Sequence, residues 1–124
     1  MAHSVARIAV VEDDAGVRTA LHRLLTAASF DACTFASAEE FLASPGRRGR
    51  VDCLIADIHL PGMNGVALLR ALAADGEVPP AVLITARDDA ATLESIRRAG
   101  PTPHLRKPFS DEALFDAIRR ALRV

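Results

Sequence analysis

The sequence predicts a doubly wound α/β domain, in which a five-stranded parallel sheet carries helices on both faces. Three observations support this. Short apolar runs alternate with helix-patterned stretches five times along the chain. The runs are continuously apolar, as in strands covered on both faces, and do not alternate apolar with polar. The whole pattern fits within 124 residues, the size of one domain with a proper core.

Arg7-Ile8-Ala9-Val10-Val11 is the first strand. Residues 14–28 follow as a helix, with Val17, Leu21, Leu24, Leu25 and Ala28 at helical spacing. Residues 31–35 make a second strand. Ser37-Ala38-Glu39-Glu40 fits a capping box ahead of Phe41 and Leu42. Residues 44–50 read as a loop from their Pro and Gly content, and Arg47, Arg48 and Arg50 read as its solvated tip. Cys53-Leu54-Ile55-Ala56-Asp57 is the third strand. Pro61-Gly62 breaks the chain, and Asn64 caps a helix expected to turn Val66, Leu69, Leu72 and Ala73 inward. Ala81-Val82-Leu83-Ile84-Thr85 is the fourth strand. Residues 88–99 read as the fourth helix, stopped by Gly100-Pro101. His104-Leu105-Arg106 is a short fifth strand, and Ser110 opens a last helix with Ala113, Leu114, Ala117, Ile118, Ala121 and Leu122 inward.

Half the residues are hydrophobic and a quarter are charged, which excludes a disordered chain. The formal net charge of −1 provides no global field for nucleic acid or an acidic membrane. No apolar run approaches the roughly 20 residues that span a bilayer, and the N-terminal residues lack a secretory layout. A cytoplasmic location is expected. Cys33 and Cys53 are too few for a disulfide framework and too isolated for a zinc site. Both are expected as small buried residues inside strands. His3 and His22 are expected at the surface.

In a parallel sheet of this kind, ligands sit beyond the carboxyl ends of the strands. There the first strand ends in Glu12-Asp13-Asp14, the third in Asp57 and the fourth in Thr85, while Lys107-Pro108 follows the fifth. Carboxylates gathered at one edge repel one another. A hard divalent cation relieves that repulsion, and Mg²⁺ prefers such oxygen ligands. A carboxylate can also accept a phosphoryl group covalently. Asp57 would be the nucleophile, with Mg²⁺, the Lys107 ammonium and the Thr85 hydroxyl disposed around the phosphoryl oxygens.

The order Val11-Glu12-Asp13, Asp57 with Leu60-Pro61-Gly62-Met63-Asn64-Gly65, Ile84-Thr85-Ala86 and Lys107-Pro108-Phe109 resembles the receiver domain of two-component response regulators. The resemblance covers residues 7–122. It implies a flavodoxin-like fold with strand order 2-1-3-4-5 and five helices. That order places the strands of Cys33 and Cys53 on either side of the first, against a disulfide. It also implies that Asp57 is the phosphoacceptor and that a sensor histidine kinase supplies the phosphoryl group. Asp13 would be a direct Mg²⁺ ligand, Glu12 would act through water or a hydrogen bond, and the His59 carbonyl would complete the protein ligands. Thr85 would reorient toward the phosphoryl group, Lys107 would pair with it, and the Lys107–Pro108 peptide would be cis. His59 and Arg87 would tune the phosphoryl lifetime. Such a domain assists its own phosphoryl transfer and dephosphorylation without being an enzyme in the ordinary sense. Phosphorylation would switch the face made by the fourth helix, fifth strand and fifth helix, which would then form a homodimer or bind a partner.

Phe35-Ala36-Ser37-Ala38-Glu39-Glu40-Phe41-Leu42 is further similar to the nitrogen-fixation regulator subfamily, whose members act in transcription regulation through a C-terminal helix-turn-helix domain. None lies within residues 1–124, which are expected to be one receiver domain without direct nucleic-acid or membrane binding. It would be either a stand-alone receiver or one cut before its output domain. The chain departs from the family at His104, where a switch aromatic is usual. It departs again at Gly100-Pro101-Thr102-Pro103, whose prolines stiffen the approach to the fifth strand and remove donors. An aspartate-nucleophile phosphatase would need a second Asp at His59. A flavodoxin-like redox domain would need a Ser/Thr/Gly-rich loop where the chain is acidic, and aromatic residues to stack on the flavin. A pseudo-receiver, an interaction module independent of phosphorylation, is the alternative function. It would have lost the acidic pair, the acceptor or the lysine, and all are present.

Overall fold

A computed structural model describes residues 5–44, 51–76, 78–100 and 102–123. His3, Arg47, Arg48, Arg50 and Pro101 lie outside the described residues. Strands β1 (Arg7–Val11), β2 (Asp31–Phe35), β3 (Cys53–Asp57), β4 (Ala81–Thr85) and β5 (His104–Arg106) alternate with helices α1 (Ala15–Ala27), α2 (Ala38–Leu42), α3 (Gly65–Ala74), α4 (Ala90–Arg98) and α5 (Asp111–Leu122). The strands form one parallel sheet in the order β2-β1-β3-β4-β5. Each strand keeps the bounds read from the sequence.

Successive strand residues point to opposite faces, and the continuous runs supply both. Ile8, Val10, Cys53, Ile55, Val82 and Ile84 pack on one side beneath α1 and α5. Ala9, Val11, Leu54, Ala56 and Leu83 pack on the other, with side chains of α2, α3 and α4. The central strands are therefore sealed on both faces, while β2 and β5 are edges. Cys33, expected buried, is half-buried because it lies on edge strand β2. Cys53 is buried on β3, and neither cysteine is in a disulfide. Burial pushes the Cys53 thiol up to about 12, so it is inert.

Each helix starts on a polar cap. Asp14, Ser37, Asn64, Asp89 and Ser110 each accept an N–H from the residue three positions on. Three local expectations need correction. Helix α3 turns Leu68 inward and Ala73 outward, since burial follows Gly65, Val66, Leu68, Leu69 and Leu72. Helix α4 begins at Ala90, because Asp89 is the cap and Asp88 pairs instead with Arg106 at 2.8 Å. In the capping box the Glu40 carboxylate reaches past Ser37 and accepts the Ala36 N–H at 3.3 Å. Pro103 has no N–H to donate, but its carbonyl accepts the Leu83 N–H at 2.9 Å and aligns β5 with β4. The Lys107–Pro108 peptide is cis, as expected. His22 is exposed.

Candidate functional site

The sheet order reverses between β1 and β3: β2 lies outside β1 on one side, while β3, β4 and β5 run away on the other. A crevice opens at such a switch point, at the carboxyl ends of the strands. Glu12 and Asp13 follow β1 there, and Asp57 ends β3. One carboxylate oxygen from each of the three lies within 4.8 Å of the other two. Asp14 leaves the cluster, because its carboxylate accepts the Val17 N–H at 3.0 Å and caps α1.

Lys107 enters from the far side of the sheet. Its N–H donates to the Thr85 carbonyl at 2.7 Å, which fixes its backbone just beyond β4. Its Nζ then donates to Asp57 Oδ2 at 2.8 Å and to Glu12 Oε1 at 2.6 Å. Asp57 and Glu12 are both buried. The remaining Asp57 oxygen, Oδ1, accepts the His59 N–H at 2.8 Å. Glu12 Oε2 accepts the Asp14 N–H at 3.1 Å.

Burial pushes the Glu12 carboxyl above the usual carboxylate range, against the opposing pull of the Lys107 and Asp14 hydrogen bonds. Partial burial alone would lower the Lys107 ammonium, but its bonds to Asp57 and Glu12 outweigh that and raise it. One ammonium facing three carboxylates leaves the crevice net negative. Exposed Asp13 opens on a cavity of about 530 Å³, also lined by His59, Arg87, Asp89 and Thr92. Three hard carboxylate oxygens at this spacing, carrying an excess of negative charge, are a donor set that fits a small divalent cation such as Mg²⁺.

Thr85 is also buried, at the end of β4. Its hydroxyl donates to the Arg87 carbonyl at 3.1 Å and accepts the Arg87 N–H at 3.0 Å. Arg87 and His104 are exposed. His59 is half-buried, and its Nε2 lies 3.2 Å from the Thr92 hydroxyl. Two further residues near the site were not singled out from the sequence. Thr92 is buried at 3 % exposure, and its signal was its position four residues before inward-facing Ile96. Glu39 reaches from α2 to accept the Met63 N–H at 3.0 Å, a contact between distant segments that no local pattern announces.

The fold and site thus define a doubly wound α/β protein with an acidic, lysine-bridged pocket at its switch point. Residues 8–119 match the response regulator receiver domain family. The chain belongs to that family and is a receiver domain of the two-component type. It is 33 % identical over 117 residues to the transcriptional regulatory protein FixJ of Bradyrhizobium diazoefficiens, covering 94 % of this chain and 56 % of FixJ. It is 33 % identical over 113 residues to the DNA-binding transcriptional regulator NtrC of Salmonella typhimurium, covering 91 % of this chain and 24 % of NtrC. The chain therefore spans about half of one curated relative and a quarter of the other. Among solved structures, FixJ-N superposes with a TM-score of 0.85 at 32 % identity, covering 98 % of this chain and 96 % of that one. A receiver protein from Burkholderia phymatum superposes with a TM-score of 0.80 at 39 % identity, covering 96 % of each chain. The resemblance to nitrogen-fixation-type regulators holds at the level of these relatives. Among the described residues, no helix is long and apolar enough to cross a membrane.

Proposed function

We propose that Asp57 is the phosphoacceptor of this domain and that Glu12, Asp13, Thr85 and Lys107 serve its phosphorylation. The observation that carries the reading is the Lys107 ammonium joining Asp57 Oδ2 and Glu12 Oε1 at 2.8 and 2.6 Å, with Asp13 beside them. A carboxylate oxygen of Asp57 attacks phosphorus in line as the bond to the donor's leaving group breaks. The donor would be a phosphohistidine of a sensor kinase. The protein has little covalent chemistry to do; it positions the nucleophile and stabilises charge on the equatorial oxygens. Lys107 is already within reach of that charge. The His59 N–H holds the other Asp57 oxygen and so orients the carboxylate. Thr85 can turn toward the phosphoryl group only by giving up both of its bonds to Arg87.

Asp13, Asp57 and the His59 carbonyl would hold Mg²⁺, with Glu12 acting through water or a hydrogen bond, and the ion would supply the positive charge that makes an anionic carboxylate competent against a phosphoryl group. His59 and Arg87 then border the phosphorylated site and set how quickly the domain loses its phosphoryl group with its own assistance. Movement of Thr85 would be felt first by the β4–α4 connection through Arg87. It would be read out on the α4–β5–α5 face, where exposed His104 lies on edge strand β5. That face would pair two phosphorylated copies or dock a partner. The 124 residues act as one cytoplasmic receiver unit that does not itself bind nucleic acid.

The test is intact mass after incubation with acetyl phosphate, with and without Mg²⁺, for the wild type and Asp57→Ala. A Mg²⁺-dependent gain of one phosphoryl group, absent from the variant, is expected. A folded wild type that gains nothing would instead support a phosphorylation-independent interaction module. Sedimentation of the same phosphorylated sample checks the pairing, and an unchanged mass would remove the homodimer.

A further inference from the structure

Thr92 is a polar residue sealed on the inner side of α4. Its hydroxyl lies 3.2 Å from Nε2 of His59, a residue of the β3–α3 connection. Its backbone N–H donates to Asp89 Oδ1 at 3.1 Å. The Thr92 hydroxyl and this N–H, in that order of weight, hold the Asp89 carboxyl below the usual carboxylate range. A threonine hydroxyl has a single proton. The Thr92 hydroxyl therefore meets His59 Nε2 as donor or as acceptor according to the imidazole's tautomer. A chain of contacts therefore runs from the α4 cap at Asp89 through Thr92 to the imidazole. The His59 backbone N–H, in turn, donates to Asp57 Oδ1 at 2.8 Å. Two residues thus connect the start of α4 to the acceptor carboxylate.

We propose that Asp89 and Thr92 are positioning residues for His59, holding its imidazole against the first turn of α4 as a cover on the side of the site from which water would attack an aspartyl phosphate. His59, Asp89 and Thr92 line one cavity with Asp13, so the imidazole forms part of the wall beside the acidic cluster. In the reaction it retards, a water oxygen bonds to phosphorus and the phosphorus–oxygen bond to Asp57 breaks. The carboxylate leaves with the electron pair. One water proton stays on the phosphate and one passes to solvent. An anchored imidazole has its Nε2 engaged by the Thr92 hydroxyl and its ring fixed; a released one swings away and opens that side. The proposal rests on the reading of Asp57 as the acceptor.

Thr92→Val removes the hydroxyl and keeps the shape, and Thr92→Ser keeps the hydroxyl. In the unphosphorylated proteins, long-range proton–nitrogen NMR of the His59 ring is recorded at about pH 8, where an ordinary imidazole is neutral. It is expected to show one dominant tautomer in wild type and Thr92→Ser, and a mixture in Thr92→Val. After donor removal, the aspartyl phosphate of Thr92→Val should decay about fivefold faster than wild type, the size set by one net hydrogen bond. Thr92→Ser should decay as wild type does. In a His59→Ala background, Thr92→Val should add nothing. An unchanged tautomer and lifetime in Thr92→Val would overturn the proposal. So would an equal acceleration without His59. A wild type that gains no phosphoryl group would instead defeat the reading of Asp57, and the tautomer comparison would still decide whether Thr92 holds the imidazole.

Discussion

At 1 % exposure, Glu12 is a carboxylate kept where water cannot solvate it, which only a charged partner and hydrogen bonds make tolerable. Lys107 and the Asp14 N–H provide them, yet burial still prevails and the carboxyl is raised. The raised acid is more easily protonated in the folded state. Its favourable contribution is therefore fully present below its ordinary value of 4.5 and is lost as pH rises through the folded value. At neutral pH, Glu12 costs stability. Lys107 is raised from 10.5, so its contribution is present throughout the neutral range and is lost only when pH climbs past the raised value. Glu12→Gln should therefore stabilise the metal-free domain at pH 7 by about 1 kcal/mol, with the gain shrinking toward acid. Urea unfolding at several pH values measures it. A variant less stable at pH 7 would mean that the Lys107 bond outweighs the cost of burying the charge. The same change should weaken Mg²⁺-dependent phosphorylation, since a site that holds a cation must keep charge that the fold alone would discard.

Helix α3 begins directly against the strand that carries Asp57, and Gly65 makes this approach feasible. The Gly65 N–H donates to the Ile58 carbonyl at 3.2 Å, and a Cβ built on Gly65 would sit 2.5 Å from the Asp57 carbonyl oxygen. That neighbour is backbone and cannot swing aside. Gly65→Ala should destabilise the domain by about 2–3 kcal/mol through overpacking and should slow phosphorylation in whatever fraction stays folded. Thermal unfolding paired with the intact-mass assay checks this, and a variant as stable as wild type would show that α3 can retreat. Gly65 was visible in the sequence as part of the Pro61-Gly62-Met63-Asn64-Gly65 stretch, but its reason, a close approach of two backbones, was not. The same division holds elsewhere. All five strands could be read to the residue, the central ones from their continuous apolar runs and the edge strands from their place between helical patterns. The start of α4 could not, because Asp88 and Asp89 are equal candidates as caps until the Arg106 pair claims the first. Ala73 looked inward because a small apolar residue fits either side of a helix, and only packing showed that Leu68 occupies the buried face. Glu12, Asp13, Asp57, Thr85 and Lys107 were legible because strand order alone brings strand ends together. The bond between His59 and Thr92 was not, since it depends on how α4 tilts over the β3–α3 connection.

Across the whole molecule, the near-neutral net charge of −1 conceals a local excess of carboxylate at the switch point, where three acids face one ammonium. Because β1 and β3 bring these acids together, the cluster exists only in the folded chain, and a cation bound there binds the native state alone. Such binding stabilises by RT ln(1 + [L]/Kd), about 2.7 kcal/mol at a hundredfold excess over Kd. For a domain of this size that corresponds to roughly 3–5 °C in Tm per kcal/mol. Mg²⁺ should therefore raise Tm progressively with concentration, while NaCl matched for ionic strength should not. Asp13→Asn should remove most of the rise while leaving the Lys107 bridge and the metal-free Tm nearly intact, since Asp13 is exposed and outside that bridge. A Tm that ignores Mg²⁺ in the wild type would show that Lys107 by itself satisfies the cluster. A rise that survives in Asp13→Asn would place the ion elsewhere. The expected pattern would mean that a single ion both relieves the repulsion that the fold concentrates at the crevice and prepares Asp57 for phosphorylation.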